Sequence, residues 1–229
     1  MIDVLALASD YDETLACRGQ VDAPTWKALR EFKGSGRKII LVTGRELDDL
    51  LSVCGSVDLF DAVVVENGAV LHLPSKQQSM ALAGPPRMEF LEALRQRGVH
   101  PLSVGRSIVA TERSQYETLA RAIREFAPEM QIICNRASLM ALPFGTNKRS
   151  GLQAALRELR VPPNRVVGIG DAENDEAFLD FCGVYAVVAN ALPSLKQAAD
   201  VIAGSECGPG VVEIIETIMA GNLALALRQ

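Results

Sequence analysis

The sequence predicts an α/β protein, a parallel-sheet core into which a small α+β unit is inserted. Three features predict it. Short continuous apolar runs at 4–8 (VLALA), 38–42 (KIILV), 62–65 (AVVV) and 165–169 (RVVGI) have the length and composition of strands buried on both faces, as in parallel sheets. Between most of them lie stretches whose apolar residues recur at helical spacing. Near Gly84-Pro85-Pro86 this alternation breaks, and a helix-strand-strand pattern runs twice before it resumes near residue 145, the order of a small antiparallel sheet with helices on one face.

The elements follow in order. After the first strand, Asp22 or Ala23 caps a helix begun by Pro24, with Trp26, Leu29 and Phe32 on its apolar face and Gly34-Ser35-Gly36 as its stop. The strand at 38–42 leads through Thr43-Gly44-Arg45 into a helix carrying Leu47, Leu50, Leu51 and Cys54. Asn67-Gly68, between VVVE and AVLHL, predicts a hairpin. The inserted unit reads as a helix over 87–97, strands at 101–105 and 107–111, a helix over 114–126, and strands at 130–134 and 138–142. Thr146-Asn147-Lys148-Arg149-Ser150-Gly151 then opens a helix with Leu152, Leu156 and Leu159; Pro162-Pro163 precedes the strand at 165–169. Short edge strands at 184–188 and 200–202, a helix over 192–198 between them and a last helix over 211–219 complete the chain.

At 229 residues and 48% hydrophobic, the chain is long enough for a sizeable core. No apolar run approaches the ~20 residues of a membrane helix, and the start MIDVLALASDYDE lacks a secretory n-region and cleavage site; we expect a cytoplasmic protein with no membrane partner. A net charge of −5 without a dense Lys/Arg run argues against nucleic acid as a partner but leaves room for a small anion. Cys17, Cys54, Cys134, Cys182 and Cys207 are odd in number, scattered and never spaced as CxxC, and read as reduced thiols rather than a disulfide framework or a zinc site.

The chemistry lies at strand ends. Asp10 and Asp12 follow the first strand, two apart, so an extended backbone points both the same way. Thr43 follows the second, and Asp171, Asn174 and Asp175 follow the strand at 165–169. In an open parallel sheet ligands bind outside the carboxyl ends of the strands, so folding gathers these carboxylates with Thr43 and Lys148. Crowded anions need a hard divalent cation, and oxygen-only donors suit Mg²⁺; an added Lys and Thr suit a phosphate group.

With DYDETL at 10–15, VTGR at 42–45, Lys148 in TNKRSG and GDAEND at 170–175 in this order, the chain resembles the haloacid dehalogenase (HAD) superfamily, and within it the Cof-type, subfamily IIB phosphatases with a C2B cap. The resemblance implies a Rossmann-like HAD core over 1–83 and 145–229 and an αββαββ cap over 84–144. It implies Asp10 as a nucleophile forming an aspartyl-phosphate and Asp12 as general acid and then base. It also implies Mg²⁺ held by Asp10, the backbone carbonyl of Asp12, and Asp171, with Asn174 and Asp175 behind them. Thr43, Gly44 and Lys148 are expected on the phosphoryl oxygens, and Glu13, Arg45 and Asn67 on the substrate side. His72 and His100 are read as structural. The cap loops around Arg106 and Arg113 are expected to meet the leaving group.

Alone, each motif has a plainer reading: a strand cap for Asp10 and Asp12, a turn for Thr43-Gly44, a surface lysine for Lys148, a helix-terminal acid for Asp175. Their order along one chain carries the reading. One departure stands out: the family writes DxDGT, and Glu13 takes the glycine's place. If that position needs φ > 0, a side chain costs ~1–2 kcal/mol. The expected function is hydrolysis of the phosphate monoester of a small metabolite, a sugar phosphate or a phosphoglycolate-like acid, by a monomer or homodimer. A phosphomutase of the phosphomannomutase type, and a regulatory or scaffold protein weakened by Glu13, are the alternatives.

Overall fold

The structure, a computed structural model, describes residues 3–223. Its strands are β1 (Ala6–Ser9), β2 (Lys38–Val42), β3 (Ala62–Val65), β4 (Val70–Leu73), β5 (Gln78–Ala81), β6 (Ser103–Val104), β7 (Val109–Glu112), β8 (Met130–Asn135), β9 (Ser138–Pro143), β10 (Val166–Gly170), β11 (Val184–Val187) and β12 (Val201–Ile202). Its helices are α1 (Ala23–Gly34), α2 (Leu47–Val53), α3 (Met88–Gln96), α4 (Tyr116–Phe126), α5 (Lys148–Leu159), α6 (Glu176–Leu179), α7 (Pro193–Ala198) and α8 (Cys207–Met219).

One sheet runs β12-β11-β10-β1-β2-β3-β4-β5. It is parallel from β12 through β3, and the hairpins to β4 and β5 are antiparallel. The alternation along each strand explains the apolar runs. Leu7, Ile39, Leu41, Val63 and Ile169 point to one face, against Leu29 and Phe32 of α1 and Ile214, Ile215 and Ile218 of α8. Ala6, Ala8, Ile40, Val42 and Val64 point to the other, against Leu152 and Leu156 of α5, Phe178 and Leu179 of α6 and Leu195 of α7. With both faces covered, no strand position in the sheet's centre can be polar without a partner.

Asp22 caps α1 by accepting from the Thr25 amide at 2.8 Å. Leu51, predicted on the apolar face of α2, is instead exposed, because the helix is short and its burial falls on Leu50. The hairpin after β3 is a four-residue turn with Glu66 and Asn67 both at positive φ. The edge strand β5 leaves no apolar run in the sequence, because its residues are half or fully exposed.

The second sheet is antiparallel, ordered β6-β7-β9-β8. On one face α3 and α4 bury Phe90, Leu94, Leu119 and Ile123 against Val109, Leu139 and Ala141. The other face turns Ile108, Met140 and Leu142 toward Ala69 in the large sheet's hairpin turn.

Candidate active site

Asp10 continues β1, its amide donating to the Ile169 carbonyl at 2.9 Å, so β1 and β10 end side by side. Lys148 opens α5. Asn147 caps that helix reciprocally with Ser150, each side chain bonding the other's amide at 3.0 Å. The turn before β4 lies so close beneath that a Cβ on Gly68, whose φ is +107°, would stand 1.9 Å from the Asn147 carbonyl oxygen. This close approach drives Lys148 into the sheet's end, where it is fully buried. Its Nζ donates to Asp10 Oδ1 at 2.5 Å and to Asp175 Oδ1 at 2.6 Å.

Asp175 turns its other oxygen back onto the amides of Asp171 and Ala172, at 2.9 and 3.0 Å. A Cβ on Gly170 would lie 2.7 Å from this carboxylate, so glycine is what lets β10 end against it. Asp171 accepts from the Thr14 hydroxyl at 3.1 Å and from Nη2 of Arg136, on the tight turn between β8 and β9. Carboxylate oxygens of Asp10, Asp171 and Asp175 all lie within 4.8 Å of one another, and all three residues are buried.

The electrostatics follow from this crowding. Burial pushes the Asp10 carboxyl well above its usual range; Asp175 adds to the effect and Lys148 partly offsets it. Asp171 is raised by burial and then by Asp175, with Arg136 opposing. For Lys148, burial disfavours the charge, but Asp10 and Asp175 outweigh it and hold the ammonium above its normal range. A buried group of three carboxylates with only oxygen donors fits a hard divalent cation, whose charge would draw Asp10 and Asp171 back to the ionised form.

Asp12 lies outside this cluster. Both its oxygens are taken by Arg45, Nε at 2.8 Å and Nη2 at 2.9 Å, while Arg45 Nη1 reaches Asp49 at 2.6 Å. The hydrogen bonds to Asp12, with its charge, hold the guanidinium above its ordinary range. The two aspartates line one cavity as their spacing predicts, but each has its own cation.

That cavity, about 540 Å³, lies between the sheets. Asp10, Asp12, Glu13, Thr43, Gly44 and Arg45 line it from the large sheet, and Ile108, Ala110, Asn135, Arg136, Ser138 and Met140 from the small one. Met140 Sδ lies 3.3 Å from where a Gly44 Cβ would be. Asn67 is not among the lining residues: it is buried beneath, accepting from Asn174 Nδ2 at 3.0 Å. Glu13 has φ +58°, the conformation in which glycine is free of strain. Its carboxylate turns aside, accepting from the Arg18 amide at 3.2 Å. His72 bonds Ser79 across β4 and β5, outside the cavity.

Two residues escaped sequence reasoning. Glu66, the last residue of VVVE, is buried and clamps the turn before β7, accepting from the amides of Arg106, Ser107 and Ile108 at 2.9, 2.8 and 3.1 Å. Arg136, not Arg106 or Arg113, is the small unit's arginine in the cavity. Arg113 instead donates to the Arg136 carbonyl at 2.9 Å, and Arg106 lines a separate groove. The turn Asn135-Arg136-Ala137 between two strands was the available signal for Arg136, since a hairpin tip facing the core projects its side chain there.

The family model described as haloacid dehalogenase-like hydrolase matches residues 7–136 and 103–215, which together span nearly the whole chain. The chain belongs to the haloacid dehalogenase-like hydrolases. Within curated proteins, this hydrolase is 27% identical over 222 residues to the phosphoglycolate phosphatase of Methanothermobacter thermautotrophicus, covering 93% of this chain and 98% of that one. It is 29% identical over 224 residues to phosphoglycolate phosphatase 2 of Saccharolobus solfataricus, covering 95% and 94%. A crystal structure of a haloacid dehalogenase-like hydrolase from Bacteroides thetaiotaomicron superposes with a TM-score of 0.81 at 17% identity, covering 94% of this chain and 99% of that one. A HAD subclass IIB sugar phosphatase superposes at 0.76 with 16% identity, covering 95% and 99%. These likenesses agree with a Rossmann-like core bearing an inserted α+β unit. No helix among the described residues is long and apolar enough to cross a membrane.

Proposed function

We propose that this hydrolase is a Mg²⁺-dependent phosphatase acting on the phosphate monoester of a small metabolite, with residues 1–83 and 145–229 as its core and 84–144 as a cap over the cavity. The observation that carries the reading is the buried group of Asp10, Lys148, Asp171 and Asp175 at the carboxyl ends of β1 and β10. Such a group has little structural use, because burying three carboxylates against one ammonium costs stability.

In this reading an Asp10 oxygen attacks phosphorus, the ester P–O bond breaks, and the leaving oxygen takes a proton from Asp12. Asp12 then removes a proton from water, which attacks the aspartyl-phosphate and frees both phosphate and Asp10. Asp10, the Asp12 carbonyl and Asp171 are the groups that would hold Mg²⁺, with Asn174 and Asp175 behind them, and the ion supplies positive charge to the phosphoryl oxygens. Lys148, the Thr43 hydroxyl and the Gly44 amide stabilise the remaining charge, which is most of what phosphoryl transfer needs. The cap excludes water with Met140 and Ile108 and presents Arg136.

The curated relatives named phosphoglycolate phosphatases, and the guanidinium groups of Arg45 and Arg136 in the cavity, support a short phosphorylated acid as substrate. The test is phosphate release from 2-phosphoglycolate and a panel of sugar phosphates, with and without Mg²⁺. Release that needs Mg²⁺ and vanishes in Asp10→Asn is expected. Release from no ester by wild-type protein would instead favour a regulatory role.

A further inference from the structure

Beyond Asp12 the same loop turns back and brings Glu13 and Cys17 to Cys207, the first residue of α8. A Glu13 carboxylate oxygen and both sulfurs lie within 4.8 Å of one another, with Glu13 Oε2 3.9 Å from Cys207 Sγ. Tetrahedral zinc binds sulfur at ~2.3 Å and carboxylate oxygen at ~2.0–2.2 Å, so its donors stand roughly 3.5–3.8 Å apart. The Glu13–Cys207 pair is close to that spacing already, and Cys17 lies within 4.8 Å of both. We propose that Glu13, Cys17 and Cys207 form a second metal site, separate from the buried aspartates, for a borderline-soft divalent cation of the zinc class, with a fourth position open to water.

The surroundings hold the donors in place. The Asn190 side chain bridges the two segments, donating to the Glu13 carbonyl at 2.7 Å and accepting from the Cys207 amide at 2.9 Å. The second Glu13 oxygen is held by the Arg18 amide, leaving Oε2 to the thiols. Glu13, Arg18 and Cys207 have φ of +58°, +52° and +49°, a concentration of left-handed, non-glycine backbone at one spot, of the kind found where geometry serves a ligand. Cys17 is exposed and gives an ion access; Cys207 is buried.

The chemistry separates the two sites. Two sulfurs select zinc or cobalt over magnesium, while the all-oxygen aspartate cluster suits magnesium. Binding converts two thiols to thiolates, so two protons leave as one M²⁺ enters. The bound ion would tie the loop carrying Asp10 and Asp12 to α8 and fix the Glu13 carboxylate against the two sulfurs. This accounts for an acidic residue where the family pattern has glycine.

The experiment is a Co²⁺ titration of the reduced, metal-free full chain in excess Mg²⁺, read by absorbance. One equivalent is expected to produce a thiolate-to-cobalt charge-transfer band and tetrahedral visible bands, and one equivalent of Zn²⁺ to abolish both. Cys17→Ser, at an exposed position and checked for folding by circular dichroism, loses the band. Glu13→Gln weakens Co²⁺ binding at least tenfold. Cys134→Ser and Asp171→Asn keep the band. A wild-type spectrum without a thiolate band, a band that persists in Cys17→Ser, or one lost in Asp171→Asn overturns the proposal.

Discussion

Arg45 grips both carboxylate oxygens of Asp12, at 2.8 and 2.9 Å. A two-pronged pair of this kind fixes direction as well as charge, so it sets where the Asp12 carboxylate stands over the cavity. In the proposed mechanism Asp12 gives a proton to the leaving group, and loosening the fork at one oxygen would free that oxygen to do so. Arg45→Lys keeps the charge and loses the fork. We expect kcat for phosphate release to fall about ten- to hundredfold, the scale of a misplaced catalytic group, with the Mg²⁺ requirement unchanged. An unaltered kcat would remove Arg45 from this role.

Lys148 is the ammonium between Asp10 and Asp175. In Lys148→Met the carboxylates remain buried without it, and breaking a buried pair costs about 3–5 kcal/mol. Thermal unfolding of the metal-free variant should show a Tm lower by roughly 10 °C, and Mg²⁺ should recover part of it. If Lys148 is the phosphoryl donor proposed above, the variant should lower kcat/KM about 10²–10³-fold.

The raised carboxyls of Asp10 and Asp171 make stability depend on pH. Their pKa values in the folded, metal-free protein lie above the usual 3.8. As pH rises from that value through the raised ones, the folded state holds more protons than the unfolded state, and stability falls. A cation that binds the ionised form removes the penalty. The Tm gain on adding Mg²⁺ should therefore be larger at about pH 8 than at about pH 5, and Asp171→Asn should lose most of it. Equal gains at both pH values would contradict this.

Glu13 pays for its side chain with left-handed backbone. Glu13→Gly should stabilise the reduced, metal-free protein by about 1 kcal/mol, the relief of ~1–2 kcal/mol less glycine's extra chain entropy. It should also raise kcat or widen the range of esters hydrolysed. Unchanged kinetics across several phosphate esters would show that Glu13 has no bearing on the cavity.

Arg136 contacts Asp171, so it competes with a cation for the same carboxylate. Arg136→Ala should bind Mg²⁺ more tightly by calorimetry. It should also raise KM for 2-phosphoglycolate about tenfold or more, the size of a lost hydrogen bond to a charged group, and less for an ester lacking a second anion. Equal effects on both substrates would show that Arg136 does not read the leaving group.

Much of the protein was legible in order along the chain. The doubly buried runs read as parallel strands because both faces of the sheet are covered, and the strand-end positions of Asp10, Thr43 and Asp171 placed them at one edge. The left-handed backbone at Glu13 was also foreseeable, because a departure from a glycine position is visible in the residue itself. What pattern alone could not supply was pairing. Asp10 and Asp12 look equivalent in DYDETL, and only the packing of α5 under the hairpin before β4 gives one Lys148, while the start of α2 gives the other Arg45.

The sequence by itself determined the fold class, the inserted unit and the set of residues able to do chemistry, because each depends on local periodicity or on motif order. Tertiary structure alone decided the choice of Arg136 over Arg106 and Arg113, the clamp by Glu66, and the meeting of Glu13 and Cys17 with Cys207 from the far end of the chain. Those contacts depend on how two sheets and three distant loops close on one another, and side-chain direction at a turn is fixed by that closure rather than by neighbours in sequence.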